Sequence, residues 1–556
     1  MESQAFSLKI ERLDLFRPLT GFQAESLVSH SPGQRPGALT IFRLHKSLLR
    51  VTFPRELRLV LAERIPMSSA FDLEAARRLP LADATFRLLN YAIDEDFLTG
   101  VFERHRGRSY ESTITFPVLV HLITDALLGR RGPSAHQTFL HAQADETLEA
   151  AVQSLYRKLA RVPLNLSLGL FADAATRLAT VASSATANPL PASLAAFRVL
   201  GFDGKKIKYV AQRLKPLRGL KGDLYGGKLL VVQDLATQQA VAAQAVADGE
   251  AADNPLVPEA VARVRAMPDN RPRLWVGDRA FCDFKLLGLL SADADHFLVR
   301  FNTACGFHSD DSVPKRTGKD DEKRPYQEEW GWLGKPNNPH RIRVRKITVT
   351  RDKGDPLICV TSLLDADRYP AIDLLTLYRS RWGIEVLFQR VVQTFDLRHL
   401  IGGTPQATVF QAMLCLLLYN ITLTIRDYVA IAADQKPKEV SLYLLFDGVV
   451  RDLTAWGEVI GTDATLELLR ATAIRTPEDL RCYLEKTLGA VWTDRWKKSP
   501  TRQRTKTSPR AYICGGHTSV DKVLRGAHRE IPFKPKEKAN RKNAKKPPPF
   551  ETKKHV

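Results

Sequence analysis

Two apolar runs, AAFRVLGF and RLWVG, each stop at a lone aspartate, Asp203 and Asp278. No other feature constrains the fold as tightly. An open α/β sheet presents its reactive groups where its strands end. The surrounding texture agrees. KLLVVQDL and QQAVAAQAV read as two strands or a hairpin, PLVPEAVARVRAM and FKLLGLL as helices, and HFLVRFN as a further strand. Such alternation predicts an α/β core built on a sheet.

A third carboxylate follows. Pro370 opens a long predicted helix that contains YRSRWGIE, and Tyr378, Arg381 and Glu385 fall on it at i, i+3 and i+7. That spacing puts them on one helical face. A phenol, a cation and a carboxylate make a poor core stripe but a good surface for a metal ion and a phosphate. Trp382, between them, is assigned to the core. Three carboxylates in a basic chain point to metal-dependent phosphodiester chemistry on nucleic acid. Two divalent ions about 3.5–4 Å apart activate an attacking oxygen and stabilise the leaving one. Mg²⁺ takes hard oxygen ligands and keeps several waters, so Asp203, Asp278 and Glu385 suffice where phosphate supplies the rest.

The charge supports a polyanionic partner. The formal charge is +21, and residues 497–556 alone hold 18 Lys/Arg against 4 Asp/Glu. Cations that neutralise phosphates release counterions, which favours nucleic acid. The tail, ending KPKEKANRKNAKKPPPFETKKHV, reads as a disordered extension, as a DNA-binding arm, or as both. The six cysteines form no CxxC pair and none stands near a histidine at finger spacing, so neither a zinc site nor a disulfide framework is expected. His399 and the other histidines show no ligand spacing. The start, MESQAFSLKIERL, carries charges where a signal peptide needs an apolar centre. The run from Thr408 to Ile425 holds Gln411, Asn420 and three threonines, so it reads as a buried helix rather than a membrane span. A cytoplasmic protein with no membrane partner is expected.

Along the chain, residues 1–110 read as mixed helix and strand, and 111–195 as a helical region closed by the linker SSATANPLPAS. Within it, SAHQTFLHA and ETLEAAVQSLYRKLARVP suggest a helix-turn-helix. Gln153, Ser154, Arg157, Lys158 and Arg161 would lie on or near its exposed face. That face suits DNA contacts; an ordinary amphipathic helix with a solvated basic side fits as well. Residues 196–302 form the first part of the core, 303–370 a β-rich insertion, 371–430 the second part of the core, 431–496 a helical region, and 497–556 the basic tail. Trp330 and Trp332, in the insertion, suit either stacking on an unpaired base or a β core.

FDGKK, VGDRAF and Y-x2-R-x3-E, in this order, resemble the DDE transposases of bacterial insertion sequences, in particular the insertion-sequence-four type with its Tyr-Arg-Glu-Lys motif. The resemblance covers about residues 196–425 and includes LLDADRYP before the helix and LLLYN after it. It implies an RNase H-like catalytic core, with Asp203, Asp278 and Glu385 as catalytic residues binding two Mg²⁺ ions, for which Mn²⁺ can substitute. It also implies cut-and-paste cleavage at the element ends, strand transfer of the 3′-hydroxyl, and room for a hairpin intermediate. The implied partners are double-stranded DNA, as terminal inverted repeats and target, and a second copy in the synaptic complex. The implied setting is the bacterial nucleoid. Tyr378 and Arg381 would hold the phosphate beside the cut. The family's lysine, seven residues past the glutamate, is Val392 here; Arg390 is nearby, and Gln389 lies on the glutamate face. That departure keeps two alternatives open: an impaired or non-catalytic DNA-binding derivative, and an RNase H-like nuclease without strand transfer.

Overall fold

A computed structural model describes residues 69–129, 134–183, 189–208, 210–220, 222–338, 341–351, 354–395, 397, 399–460, 465, 468–469, 474–499 and 517–527. Residues 1–68 lie outside the described residues, and with them most of the region read as mixed helix and strand. The described part of that region is purely helical: Ser69–Arg78 (α1), Pro80–Ile93 (α2) and Glu95–His105 (α3). Four more helices follow: Phe116–Leu128 (α4), Ala135–Ala144 (α5), Val152–Leu159 (α6) and Leu164–Ala179 (α7). The helix read from Glu146 begins only at Val152. Glu146 has φ +61°, a left-handed conformation that no helix continues through.

The sheet is built from β1 (Arg198–Lys206), β3 (Lys228–Asp234), β4 (Ala240–Val246), β5 (Arg273–Gly277), β6 (His296–Arg300), β7 (Phe307–Ser309), β8 (Arg316–Lys319), β9 (Pro325–Leu333), β10 (Ile342–Val349) and β11 (Leu357–Thr361). Its order is β4-β3-β1-β5-β6-β11-β10-β9-β7, with β8 on β9. β1, β5 and β6 run parallel, while β3 and β4 form an antiparallel hairpin on the outer side of β1. The insertion is not a separate module. β11 pairs antiparallel with β6, so the insertion prolongs the core sheet.

Both faces of the central strands are covered, which is why they read as apolar runs rather than alternating ones. Leu200, Phe202, Trp275 and Phe297 face Val257–Arg265 (α8) and Phe284–Leu290 (α9). Val199, Leu274, Val276 and Leu298 face Ala371–Ser380 (α10). Trp382–Gln393 (α11) joins a larger core with α4–α7, Pro405–Ala432 (α12), Leu442–Val459 (α13) and Pro477–Leu488 (α14). The N-terminal helices share this core and do not stand apart.

α12 is long and apolar enough to cross a membrane, yet its apolar window is buried in protein. Its polar residues explain why. The Asn420 carboxamide accepts from the backbone N–H of Ala240 (2.9 Å) and donates to its carbonyl (2.7 Å). The Gln411 side chain accepts from Ile401 N–H (2.8 Å) and donates to the His399 carbonyl (3.2 Å). Buried polar groups that find partners add stability instead of costing it.

The tail also departs from expectation. His517–Ser519 (β12) pairs in parallel with Asp223–Tyr225 (β2), and Val520–Leu524 (α15) follows. Ser519 and Val520 are fully buried, and Lys522 pairs with Asp248 (3.5 Å) and with Glu250 (2.5 Å). Residues 517–527 are therefore ordered, although the basic composition of 497–556 reads as a disordered extension.

Candidate active site

The parallel register sets the two aspartates side by side. Gly201 stands opposite Val276. Two residues further on each chain lie Asp203, inside β1, and Asp278, just past β5. Adjacent strands are about 4.8 Å apart, and positions two residues on share a face. Val199 and Val276 face α10, so Asp203 and Asp278 continue those rows on the α10–α11 side.

The helix expected to carry all three partner residues is broken at Arg381. α10 ends at Ser380 and α11 starts at Trp382. Arg381 N–H bonds the Tyr378 carbonyl (3.2 Å), and Ile384 N–H bonds that of Arg381 (3.1 Å). These i→i−3 bonds tighten the turn, and Ser380 and Gly383 flank it, a common setting for a kink. The shared face is therefore corrected. Tyr378 (7 % exposed) packs under the sheet with α10, whereas the Glu385 side chain (39 % exposed) looks into a cleft. Trp382 is turned outward at 61 % exposure, so its core assignment fails.

The kink nevertheless brings the charges together. Arg381 is buried, and its Nη2 lies 3.5 Å from Glu385 Oε1. Burial pushes the Asp203 carboxyl above its usual range; the Gly204 N–H (2.8 Å) and Arg381 pull it back, while Asp253 and Glu385 push it further up. The Tyr378 hydroxyl is raised mainly by burial, with Cys359, Arg381, Asp278 and Arg300 all close enough to act on it. The Tyr378 hydroxyl and Arg381 Nε are both buried without a hydrogen-bond partner among the described residues. Unpaired buried donors of this kind are costly unless something fills them.

Beside Asp203 and Glu385 opens a cleft of about 450 Å³, whose lining includes Lys205, Phe388, Gln389 and Val392. Asp278 lies outside it. Among the described residues no three Asp, Glu, His or Cys side chains stand close enough to form a metal-binding group. The donors match a hard cation in kind.

Two contributors were missed in the sequence. Lys205 sits two positions past Asp203 on the same strand face, with its Nζ 5.6 Å from the centre of the Phe388 ring. Asp253 presses against Gly204, where any Cβ would collide with its carboxylate, and it pairs with the buried Lys228 (2.8 Å). FDGKK held the signal for Lys205; nothing local marked Asp253.

The remaining candidates separate. Arg390 does not line the cleft; its charge acts on Tyr419 and Lys498 instead. Trp330 is buried and its indole N–H donates to the Leu364 carbonyl (2.8 Å), which makes it core. Trp332 is half-buried, with Arg341 4.2 Å and Arg343 5.8 Å from its ring centre. Arg157 and Arg161 are exposed on and just past α6, but Lys158 turns inward and donates to the Ile114 carbonyl, with burial lowering its pKa. None of these residues touches the three carboxylates.

Residues 201–421 match the family described as Transposase DDE domain. The matched stretch runs from the residue two before Asp203 into α12, and so takes in all three carboxylates. A curated protein of Sinorhizobium fredii (strain NBRC 101917 / NGR234), named "Putative transposase y4zB", is 28% identical over 112 residues, which is 20% of this chain and 26% of that protein. The chain thus spans about a quarter of the length of that relative. A solved piggyBac transposase synaptic complex with hairpin DNA aligns at TM-score 0.33 and 11% identity, over 75% of this chain and 85% of that one. A TM-score this low carries no argument about the fold. The family match and the curated relative support a DDE transposase.

Proposed function

We propose that the chain cleaves DNA at insertion-sequence ends and joins the released 3′-hydroxyl to target DNA, in a cut-and-paste reaction that leaves room for a hairpin step. One observation carries this reading: Asp203 in β1 and Asp278 just past β5 follow the register of two adjacent parallel strands, and Glu385, paired with Arg381, is close enough to act on the Asp203 carboxyl. The hairpin β3–β4 beside the parallel trio β1, β5, β6 is the arrangement an RNase H-like core would have, which supports the reading.

Asp203, Asp278 and Glu385 would hold the two Mg²⁺ ions, with Mn²⁺ as substitute. Bound there, such ions supply Lewis-acid activation of the attacking oxygen and charge stabilisation of the leaving one. The chain's own groups do the rest. Arg381 offsets the mutual repulsion of Asp203 and Glu385, and its unpaired Nε is free to donate to a phosphate oxygen. The Tyr378 hydroxyl, kept protonated by burial, is a second donor to that phosphate. Duplex DNA, a homodimeric synaptic complex and a nucleoid setting complete the proposal.

A second reading has one observation on its side. Because the three carboxylates do not converge, the chain would bind ends without cutting them. Gel-shift and nicking assays on end DNA with Mg²⁺ or Mn²⁺ separate the two. Asp203→Asn, Asp278→Asn and Glu385→Gln should each abolish nicking and leave binding nearly intact. Near-normal nicking by any of them removes that residue from the metal set. Binding without nicking by the unaltered chain establishes the second reading.

A further inference from the structure

Two acid-free basic stretches, far apart in sequence, meet on the surface next to the cleft. Gly204–Gly222 contains seven Lys/Arg and no Asp/Glu; residues 150–172 contain three and none. The loop at residues 401–404 joins them. Thr404 Oγ1 donates to the Ala160 carbonyl (3.3 Å), and Arg213 Nη1 to the Ile401 carbonyl (3.4 Å). A Cβ on Gly402 would lie 3.5 Å from Leu159, and one on Gly403 3.4 Å from Leu214. Arg213 is also close enough to act on Tyr156 of α6.

The 211–220 loop is built rather than loose. Gln212 braces it from within, donating to the Leu220 carbonyl (2.7 Å) and accepting from Gly219 N–H (3.2 Å). Gly219 takes φ +79°, which a side chain would resist. Arg157, Arg161, Lys215 and Arg218 are all exposed, and none pairs with a carboxylate among the described residues. Several surface arginines outside these stretches are paired: Arg104 with Asp173, Arg316 with Asp367, and Arg379 with Asp321. Unpaired like charges held in fixed positions repel one another, and a bound polyanion relieves that repulsion.

We infer that α6 and the 211–220 loop form one docking surface for the phosphate backbone of duplex DNA that enters the cleft past Lys205. This rests on the DNA-cleaving reading above and adds where the flanking duplex lies. The fixed loop supplies position rather than base readout.

The test is the salt dependence of affinity for a duplex that extends past the cut site. Lys215→Ala/Arg218→Ala and Arg157→Ala/Arg161→Ala are compared with Lys285→Ala/Lys335→Ala, two exposed lysines away from the patch. Each lost phosphate contact lowers the log–log slope by about 0.9. Each patch pair should therefore flatten the slope by about two, the four changes together by about four, and the control pair not at all. An equal effect of the control pair, or unchanged slopes for both patch pairs, overturns the docking surface while leaving DNA cleavage standing. Failure of the unaltered chain to bind duplex DNA overturns the functional reading itself, and this surface with it.

Discussion

Val392 stands where the resembled family carries a lysine, and Lys205 lines the same cleft, where it would supply a cation in that lysine's stead. Lys205 is exposed and has no carboxylate partner among the described residues, so its ammonium is available to a phosphate entering the cleft beside Asp203 and Glu385. A charge-assisted hydrogen bond at such a solvent-washed position is worth about 1–2 kcal/mol, roughly 5–30-fold in affinity. Lys205→Ala should weaken binding of a pre-cleaved end by that factor. Val392 is half-buried and packed on the core, but a lysine there can bury its stem and carry its charge into the cleft. In the unaltered background the gain should be small, because two ammonium groups about 6 Å apart repel by about 0.7 kcal/mol even at the dielectric of water. In the Lys205→Ala background, Val392→Lys should restore affinity to within about threefold. Fluorescence anisotropy with a labelled end at fixed salt measures all four proteins. Equal gains from Val392→Lys in both backgrounds would mean the sites do not share a phosphate, and the compensation argument would fall.

Gly204→Ala should displace Asp253 and strain β1 at the residue beside Asp203, costing about 1–3 kcal/mol of stability; denaturant melts near the unaltered midpoint would contradict the packing. Burial pushes Asp427 up to about 6 from 3.8, against the pull of Arg426, so the folded chain keeps a proton that the unfolded chain has lost. That contribution to stability is present below the unfolded value and is lost as pH rises through about 6, so Asp427→Asn should flatten the decline between pH 4 and 7, and an identical decline in the variant would remove Asp427 as its cause. Truncation after Trp496 deletes β12 and should therefore lower the melting temperature, whereas truncation after Ala527 should flatten the salt slope alone. Equal melting temperatures for both truncations would show that β12 contributes nothing to the fold.

The sequence exposed those features whose cause is local. Buried parallel strands read as apolar runs, and the aspartates that close those runs were visible as punctuation, although β1 runs on past Asp203 to Lys206 because it pairs there with β3. The polar residues of α12 argued for burial, and each found a backbone partner. What escaped has non-local causes. Nothing in HFLVRFN says that β11 will pair with β6, so the place of the insertion at the edge of the core sheet was not legible. YRSRWGIE carries a helical period throughout, and only Ser380 and Gly383 hint at the break that turns Trp382 outward and moves Tyr378 off the glutamate's face. Lys205 was readable by strand period from Asp203. Asp253 was not, because its place beside Gly204 is set by a loop fifty residues on.

The pairing of β12 with β2 has a consequence for synthesis. Leu224 and Thr518 are neighbours in the fold, yet 294 residues separate them in the chain. A ribosome adding about 5–20 residues per second needs roughly 15–60 s to cover that span. Throughout that interval β2 has emerged and its partner has not. The edge just past β1 is thus among the last parts of the molecule to close, and a nascent chain shorter than about 520 residues carries Asp203 and Glu385 on an unfinished border.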